Sequence, residues 1–387
     1  PPKRGPAKSG KGCPTDVDNF MVKVSIVRCQ DYDSGTVFDA VKRAVDLVGE
    51  IESFVKPGMK VLVKPNLLSA RAPEDAVDTH PEVVRAVLRL VKAAQGMPVI
   101  GDSPGGYCKN IDNVFEKSGM KKIAAEEGVE LARFTASRSV DGIPISRYVF
   151  ASDCIVSIPK LKTHSITILT AAIKNMYGTV TGLHKAECHS KAPKEEDFAK
   201  VVAKIYSISK PNLSILDAVT AMEGDGPSSG KPRNLNMVMA SSDGVAMDSC
   251  IAKIVGLEPL DILVTREAYK AGLGEANLSK IEILGDDIKN FITKDFKLPQ
   301  TTLLKYIPKS IARGVASFIR FKPYIDTNIC TRCNLCKVTC PVNCIEIEEN
   351  YCRVDYKRCV RCLCCHEVCP YKAIGIKRNI LARRVWG

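Results

Sequence analysis

Two cysteine runs with identical spacing are the strongest chemical feature of the sequence. Each run reads C-x2-C-x2-C-x3-C-P, and the second begins 29 residues after the first. Closely spaced thiolates wrap a polynuclear iron–sulfur cluster, whereas zinc sites generally use two ligand pairs separated by a longer spacer. The spacing therefore favours two [4Fe-4S] clusters over zinc. The eight cysteines are Cys330, Cys333, Cys336, Cys340, Cys359, Cys362, Cys365 and Cys369.

The repetition extends beyond the cysteines. The matching pairs are Asp326 with Asp355, Arg332 with Arg361, Ile345 with Ile374, and Ile347 with Ile376. We therefore expect one duplicated unit with pseudo-twofold symmetry.

Three further cysteines of this region fall outside the repeat. Cys344 aligns with Ala373 and Cys364 with Leu335, so neither holds a position that both halves need for a ligand, and Cys352 has no counterpart. We interpret Cys344 and Cys364 as packing residues.

The segment from Tyr324 to Lys377 resembles the bacterial-type ferredoxins that hold two [4Fe-4S] clusters. In that pattern the fourth cysteine of each run ligates the other cluster. The resemblance implies one cluster on Cys330, Cys333, Cys336 and Cys369, and a second on Cys359, Cys362, Cys365 and Cys340. It also implies that nearby arginines raise the cluster potentials by favouring the more negative reduced state.

Polar clusters also follow several buried strand candidates nearer the amino terminus. They lie at 64–66, 102–106, 160–164 and 217–225. Because the carboxyl ends of parallel strands share one edge of a sheet, we expect these groups to converge on a crevice.

The chemistry expected at that crevice is recognition of an anion, a carboxylate or a phosphate. Lysines would make it electropositive, and two adjacent glycines would allow close backbone approach. The ligand-binding candidates are Lys64, Asn66, Gly105, Gly106 and Lys174, and the catalytic candidates are Lys160, Lys162, His164, Asp102 and Asp225. Among these, His164 is the best candidate for proton transfer.

Several other polar residues of this region have a structural explanation. Asp243 is expected to cap the helix that begins near Gly244, and His80 with Pro81 to start another helix. The glycines at 101–106 lack the spacing of a dinucleotide fingerprint, and no G-K-[ST] phosphate loop is present. The motifs therefore specify no organic cofactor.

The elements that would position these groups alternate between strand and helix. The strand candidates are 22–27, 60–64, 98–102, 154–158, 213–217, 237–240 and 281–284. Helical periodicity separates several of them, and Thr79 and Glu82 are expected to cap one helix. This alternation predicts an α/β domain with a mostly parallel sheet and helices on both faces. A small α+β two-cluster ferredoxin-like domain follows at the carboxyl end.

Residues 21 to about 290 resemble the domain-of-unknown-function family 362, which is often joined to a ferredoxin module. The resemblance rests on several short motifs, among them Lys64-Pro65-Asn66, Thr79-His80-Pro81, the loop 101–106, Pro159 to His164, Lys174-Asn175 with Gly178, and the loop 223–227. It implies a fold and a domain arrangement, but no reaction.

We expect five segments: a leader at 1–20, the α/β domain at 21–300, a basic amphipathic linker helix at 301–323, the ferredoxin-like domain at 324–378, and a basic tail at 379–387. The apolar stripe of 304–321 suits packing on a neighbouring domain, and peripheral contact with a membrane is the alternative.

Composition excludes several classes of protein. With 45% apolar and 26% charged residues, the chain is not disordered throughout. It shows neither a membrane-spanning apolar stretch nor a secretory signal, which predicts a cytoplasmic protein. The net charge of +13 is concentrated at 301–387, where sixteen Lys and Arg face six Asp and Glu. Two clusters carrying about four negative charges would partly offset it, and no nucleic-acid motif is present.

The fusion favours an oxidoreductase, or a component of a redox complex, in which the ferredoxin-like domain exchanges single electrons with an anion-binding site in the α/β domain. Tethering holds the clusters at high effective concentration near their acceptor. Two alternatives stay open: a non-catalytic electron carrier or docking subunit, and a maturation factor for a metal or cluster. The expected partners are a redox protein or a small anionic molecule.

Overall fold

The computed structural model of the chain describes residues 21–105, 111–299, 321–349 and 351–377. We refer to the described residues up to 299 as the α/β domain and to those from 321 as the cysteine module. The leader, most of the expected linker helix, the basic tail and Gly106 lie outside these residues. Within them, no helix combines the length and apolarity needed to span a membrane.

The α/β domain is built on one ten-stranded sheet. The strands of the domain are β1 (Val22–Arg28), β2 (Lys60–Pro65), β3 (Met97–Asp102), β4 (Glu130–Arg133), β5 (Ser137–Val140), β6 (Ile143–Ser146), β7 (Cys154–Ile158), β8 (Lys160–His164), β9 (Ile168–Thr170), β10 (Leu213–Glu223), β11 (Lys231–Ser241) and β12 (Ile281–Gly285). The order across the sheet is β12-β1-β11-β10-β7-β2-β3-β4, β8 pairs with β10 and β9, and β5 and β6 form a separate hairpin.

Most neighbouring strands in the sheet run parallel, including β2 with β3 and β7, β3 with β4, and β10 with β7 and β8. Antiparallel pairing is confined to β11 with its two neighbours and to β9 with β8. The prediction of a mostly parallel α/β sheet is confirmed.

Helices cover the sheet on both sides. They are α1 (Ser34–Val48), α2 (Ile51–Phe54), α3 (Pro81–Ala93), α4 (Ile111–Lys117), α5 (Met120–Glu127), α6 (Arg147–Ala151), α7 (Ala172–Asn175), α8 (His184–Lys191), α9 (Glu195–Ile208), α10 (Gly244–Ile254) and α11 (Leu263–Lys270). Along β2, Val61 and Val63 join the core of α1 and α3, while Leu62 joins the core of α9 and α11. Alternate side chains therefore enter different cores, as the pleat of a strand requires.

Two sequence expectations about local structure need correction. The polar segment from Lys160 to His164 was expected only to follow a strand, but it is itself a fully buried strand, β8, which pairs with both β9 and β10. Helix α3 is capped by His80, whose Nδ1 accepts from Glu82 N at 3.2 Å. Thr79 instead joins two strand ends, since its hydroxyl accepts from Asn66 N and donates to the Ile158 carbonyl.

The expected cap of α10 is confirmed. Asp243 Oδ1 accepts from Val245 N at 2.8 Å and from Ala246 N at 3.0 Å. This side chain therefore acts on the helix and does not face the crevice.

The cysteine module consists of two equivalent halves. Its elements are β13 (Lys322–Ile325), α12 (Leu335–Thr339), β14 (Ile345–Ile347), β15 (Cys352–Val354), α13 (Cys364–Val368) and β16 (Ile374–Lys377). Helices α12 and α13 begin 29 residues apart in the sequence, and so do strands β14 and β16. The module begins at Lys322 or earlier, because β13 pairs with β16; the expected helix therefore does not extend to residue 323.

The backbone repeats as well. Arg332 and Arg361 have φ angles of 58° and 59°, and Asn334 and Leu363 have 63° and 57°. Non-glycine residues seldom adopt this left-handed conformation, so its recurrence at equivalent positions reflects one loop geometry used twice.

Candidate functional site

A crevice lies where the ends of β2, β3 and β8 meet helix α13 of the cysteine module. It holds about 640 Å³ of space between the atoms, part of it open to solvent. The α/β domain contributes Asn66, Leu67, Leu68, Asp102, Ser103, Gly105, Lys162, Thr170, Lys174, Tyr177, Gly178, Lys185, Ala186, His189 and Pro227; the module contributes Thr339, Cys364, Glu367 and Val368. The predicted strand-end crevice is therefore present, and the module forms one of its walls.

A buried ion pair lies at the base of the crevice. Lys64 Nζ is 2.8 Å from Asp102 Oδ1, and both side chains are almost fully buried. Asp102 Oδ2 also accepts from Leu67 N at 2.7 Å. Burial lowers the pKa of Lys64 and raises that of Asp102. Because the two groups neutralise each other, Lys64 positions Asp102 and does not line the crevice itself.

Lys162 approaches the crevice from β8 beside a second carboxyl group. Its ammonium donates to the Val77 carbonyl at 2.6 Å. Burial lowers the pKa of Lys162 to about 7 and raises the pKa of the neighbouring Asp78 to about 7. Near neutral pH, Lys162 and Asp78 are therefore each partly protonated.

The polar groups left for a ligand are Lys174, Thr170 and Asn66. Among the described residues, the Lys174 ammonium contacts only the ring of Tyr177, 5.6 Å from the centroid. Thr170 Oγ1, in a side chain 2% exposed, and Asn66 Oδ1 are buried without a hydrogen-bond partner. Buried polar groups seldom stay unpaired in native proteins. This part of the crevice is therefore suited to an anionic ligand that can also hydrogen-bond.

Glu367 brings a carboxylate from the cysteine module into the same crevice. Its Oε1 is 3.0 Å from His164 Nε2, although the contact lacks hydrogen-bonding geometry. Burial alone would raise the pKa of Glu367, but His164, His189 and Lys174 lower it well below its ordinary value. Burial lowers the pKa of His164 to about 4.

The tautomer of His164 follows from its other ring nitrogen. Nδ1 accepts from Ile166 N at 3.1 Å and from Thr167 N at 3.4 Å. The proton of the neutral ring is therefore assigned to Nε2, which faces the Glu367 carboxylate.

Lys185 and Tyr177 are crevice residues that the sequence analysis missed. Lys185 Nζ donates to the carbonyls of Ser103 and Pro104 and to Ser103 Oγ at 2.9 Å. Tyr177 Oη donates to the Lys185 carbonyl at 2.7 Å. Lys185 therefore holds the loop after β3. The only feature of the sequence that could have indicated its role is its position in a Lys- and His-rich segment.

Three predicted catalytic residues lie outside the crevice lining: His164, which contacts Glu367 from behind it, Lys160 and Asp225. Lys160 Nζ contacts Asp217 Oδ2 at 2.8 Å and Tyr32 Oη at 2.9 Å. The ring of Tyr32 stacks on His80 at 3.6 Å. Because its charge is satisfied in this separate buried network, Lys160 is not aimed at the crevice. Asp225 is half-buried in the loop after β10, from which only Pro227 lines the crevice.

Three other contacts hold α13 and the residue that follows it against the α/β domain. Ser228 Oγ donates to the His366 carbonyl at 3.2 Å, and Arg71 Nη2 to the Cys369 carbonyl at 3.3 Å. Val368 is 3% exposed. The module is therefore docked through one helix end, next to the contact of Glu367 with His164.

The eight repeated cysteines surround two cavities in crossed sets. One cavity is lined by Cys330, Cys333, Cys336 and Cys369, and the other by Cys340, Cys359, Cys362 and Cys365. Each holds more than 300 Å³ of space between the atoms, some of it open to solvent. Within the described ranges, no three His, Cys, Asp or Glu residues are arranged to hold a single metal ion. Four thiols around one cavity are the donor set that a sulfur-ligated iron cluster uses.

Cys344 and Cys364 occupy different environments from each other. Cys344 Sγ is 3.5 Å from Cys340 Sγ and lines the second cavity. Cys364 is 5% exposed and lines the crevice. The packing role expected for both is compatible with their burial, but Cys364 also borders the ligand space.

Comparison with known proteins agrees with the arrangement of the α/β domain. A family model described as a domain of unknown function, DUF362, matches residues 61–253. The thylakoid-associated protein sll1697 of Synechocystis sp. is 32% identical over 292 residues, which cover 73% of this chain and 90% of that protein. The chain belongs to the DUF362 family. The matched region of the DUF362 chain contains the α/β residues that line the crevice.

Two solved structures are similar to this DUF362 chain at low identity. The lactate racemase apoprotein of Thermoanaerobacterium thermosaccharolyticum is 12% identical, with a TM-score of 0.36, and a Thermotoga maritima protein is 14% identical, with a TM-score of 0.35. The alignments cover 59% and 63% of this chain. They span only 56% and 60% of those two proteins.

Proposed function

We propose that this DUF362 protein is an iron–sulfur oxidoreductase, or the corresponding component of a redox complex, that transfers single electrons between the cysteine module and a small organic anion in the crevice. The observation that carries this proposal is the position of α13. This helix begins between the thiols of one crossed set and ends beside a thiol of the other, and its side chains form a wall of the crevice.

The proposed cofactors are two [4Fe-4S] clusters held by the crossed cysteine sets, as in two-cluster ferredoxins. Support comes from the four repeated thiols that line each cavity and from the repeated left-handed loops that present them. When bound, such clusters supply one-electron chemistry. The residues around them contribute binding and electrostatics.

The α/β domain would bind and orient the ligand. Lys174 and Thr170 are the proposed partners of its anionic group, and Asn66 accepts a hydrogen bond from another part of it. Leu68, Tyr177 and Val368 supply apolar surface that excludes water. This combination of apolar walls with a few convergent polar groups is typical of small-molecule sites.

A positioning role is proposed for His164. The Glu367 carboxylate lines the crevice, and the His164 ring lies behind it, with Nε2 3.0 Å from Glu367 Oε1. The lowered pKa of His164 keeps the ring neutral near pH 7, so it would orient the carboxylate and not supply a proton. Lys160, expected earlier as a catalytic residue, supports β8 from its separate network.

The unpartnered groups favour an enzyme over the two alternatives. A docking subunit needs no ligand space, whereas this crevice contains a buried hydroxyl without a hydrogen-bond partner and an ammonium that, among the described residues, makes no hydrogen bond or close ion pair. Four of the eight repeated cysteines are buried and three are half-buried, which leaves Cys333 exposed. This burial suits retained clusters more than transferable ones.

We place the protein in a reducing, cytoplasmic compartment, where thiols persist without disulfides. The name of the Synechocystis relative refers to thylakoid association. Peripheral membrane contact through 304–321 remains a prediction, since that segment lies outside the described residues.

The test has two parts. Anaerobically purified protein should contain about eight irons per chain and show the reduced-state magnetic signal of [4Fe-4S] clusters. Calorimetric titration with inorganic phosphate and with malonate should then show binding that Lys174→Gln weakens at least about tenfold and Lys174→Arg largely retains. The control is Lys253→Gln on the exposed end of α10. A colourless zinc protein, or affinity unchanged in Lys174→Gln, would overturn the proposal.

A further inference from the structure

The two halves of the cysteine module differ in exposure although their backbones match. In the second half Leu363 and His366 are 5% and 2% exposed, and Ser228 of the α/β domain donates to the His366 carbonyl. In the first half the equivalent Asn334 and Lys337 are exposed, and Val338, equivalent to Glu367, is 40% exposed. The internal repeat thus has one covered half and one open half.

Of the four equivalent pairs of repeated cysteines, one differs in the same direction. Cys333 is exposed, whereas its equivalent Cys362 is half-buried. We call the set of Cys330, Cys333, Cys336 and Cys369 the outer set, and the other four cysteines the inner set. A redox protein in solution can approach the outer set most closely at Cys333.

The surface around the outer set is apolar at its centre and basic at its edge. Its exposed residues, which we call the outer face, are Ile329, Arg332, Lys337, Val338, Tyr371 and Lys372. Ile329 and Tyr371 are 48% and 49% exposed, and Tyr371 lines the outer cavity together with Cys333. Residues 327–345 and 368–377 contain no Asp or Glu.

We propose that the outer face is the docking surface for a small acidic electron-transfer protein, so that electrons enter at the outer set and continue through the inner set toward the crevice. The inference rests on the proposed function and adds a partner class and a direction of approach to it. The partner is identified by charge, since a basic rim attracts an acidic surface over several ångströms and accelerates the encounter.

The size of the outer face suits a transient contact. Electron-transfer encounters bury less surface than stable complexes, and they tolerate a few apolar residues within a charged rim. One electron would leave the reduced partner and be gained by the module, and no bond is formed or broken. The partner is released once it is oxidised, because nothing beyond this rim retains it.

The experiment uses full-length protein with its clusters oxidised, mixed anaerobically with a reduced plant-type ferredoxin as the acidic donor. Stopped-flow absorbance gives the second-order rate of cluster reduction. At low ionic strength we expect Lys337→Glu to lower this rate about tenfold, and raising the salt to about 0.5 M to lower the wild-type rate similarly. The charge-matched control, Lys122→Glu on α5, should stay within about twofold of wild type.

Reduction by the methyl viologen radical separates docking from electron transfer. This small donor needs no docking surface, so all variants with equal iron content should react at equal rates. If Lys337→Glu reacts with ferredoxin as fast as wild type does, the docking inference is wrong while the proposed function stands. If neither donor bleaches the clusters, the proposed function itself fails.

Discussion

At the scale of single residues, the lysines near the crevice have different functions although the sequence presents them as equivalent. Lys64 neutralises Asp102, Lys160 neutralises Asp217, and Lys185 holds the loop after β3. Lys174 alone among these four makes no hydrogen bond or ion pair within the part of the chain that the structure describes. Of the four ammonium groups, the one whose hydrogen-bonding capacity is unused is the one that an anionic ligand can engage.

The Lys64–Asp102 ion pair leaves no room for a side chain at position 178, which is a glycine. A Cβ at this position would overlap Asp102 Oδ1 and lie 2.7 Å from Lys64 Nζ. We expect Gly178→Ala to destabilise the fold by about 2 kcal/mol or more, because a buried ion pair cannot separate without leaving unpaired charges. Denaturant unfolding measures this. Gly182→Ala meets nothing within 4 Å but has a φ of 61°, so it should cost about 1 kcal/mol, the strain of the left-handed conformation alone. Equal losses in the two variants would contradict the steric explanation.

Arg71 places a positive charge at the carbonyl of Cys369. A cation near an iron–sulfur site stabilises its reduced, more negative state. Arg71→Gln should therefore make the midpoint potential of the group on the outer set more negative by about 40 mV, which is about 1 kcal/mol for one electron. Redox titration monitored by magnetic resonance gives the two potentials. Arg71→Lys keeps the positive charge, so its potential should stay close to that of the wild type. An unchanged potential in Arg71→Gln would exclude this role.

At the scale of elements, the four-residue helix α7 carries both Lys174 and Asn175 and depends on an external cap. Asp248 of α10 accepts from Ala172 N at 2.7 Å and from Ile173 N at 3.2 Å. A helix this short is not stable alone, so its position is decided by such contacts.

The Asp248 cap predicts a pH dependence of stability. Burial raises the pKa of Asp248 to about 7, above its ordinary value of 3.8. Between these values the folded protein holds a proton that the unfolded chain has lost, so this stabilisation is full below about pH 4 and disappears as pH rises through 7.

We therefore expect wild-type stability to fall from pH 5 to pH 8 by about 2 kcal/mol more than that of Asp248→Asn. Denaturant unfolding at both pH values under anaerobic conditions is the measurement. Parallel pH profiles in the two proteins would contradict the raised pKa.

At the scale of the whole molecule, the two parts of the chain differ in what stabilises them. The α/β domain has three large apolar cores, whereas about half of the module's core consists of cysteines. A small domain of this kind generally depends on a bound metal centre for its stability.

Removal of iron should therefore unfold the module selectively. After anaerobic chelation we expect calorimetry to show a retained transition for the α/β domain and the loss of a separate transition for the module. Malonate affinity should fall as well, because α13 would no longer close the crevice. A stripped protein with unchanged melting and unchanged binding would show that the module folds without metal.

The sequence alone predicts the class of the fold and the pairing of the cysteines. Periodicity located the central strands of the sheet, because buried parallel strands are short continuous apolar runs between polar strand ends. The 29-residue repeat predicted two equivalent halves. The resemblance to two-cluster ferredoxins implied the crossed cysteine sets, in which Cys340 and Cys369 each join the thiols of the other half.

Only the tertiary structure decided which polar groups face the ligand space. Lys160 and Lys162 are two residues apart on β8, yet one is neutralised by Asp217 and the other lines the crevice. Glu367 entered the site from a module whose sequence repeat has Val338 at the equivalent position. These outcomes depend on contacts between residues far apart in the chain, and neither periodicity nor spacing along a sequence contains information about which distant charges meet.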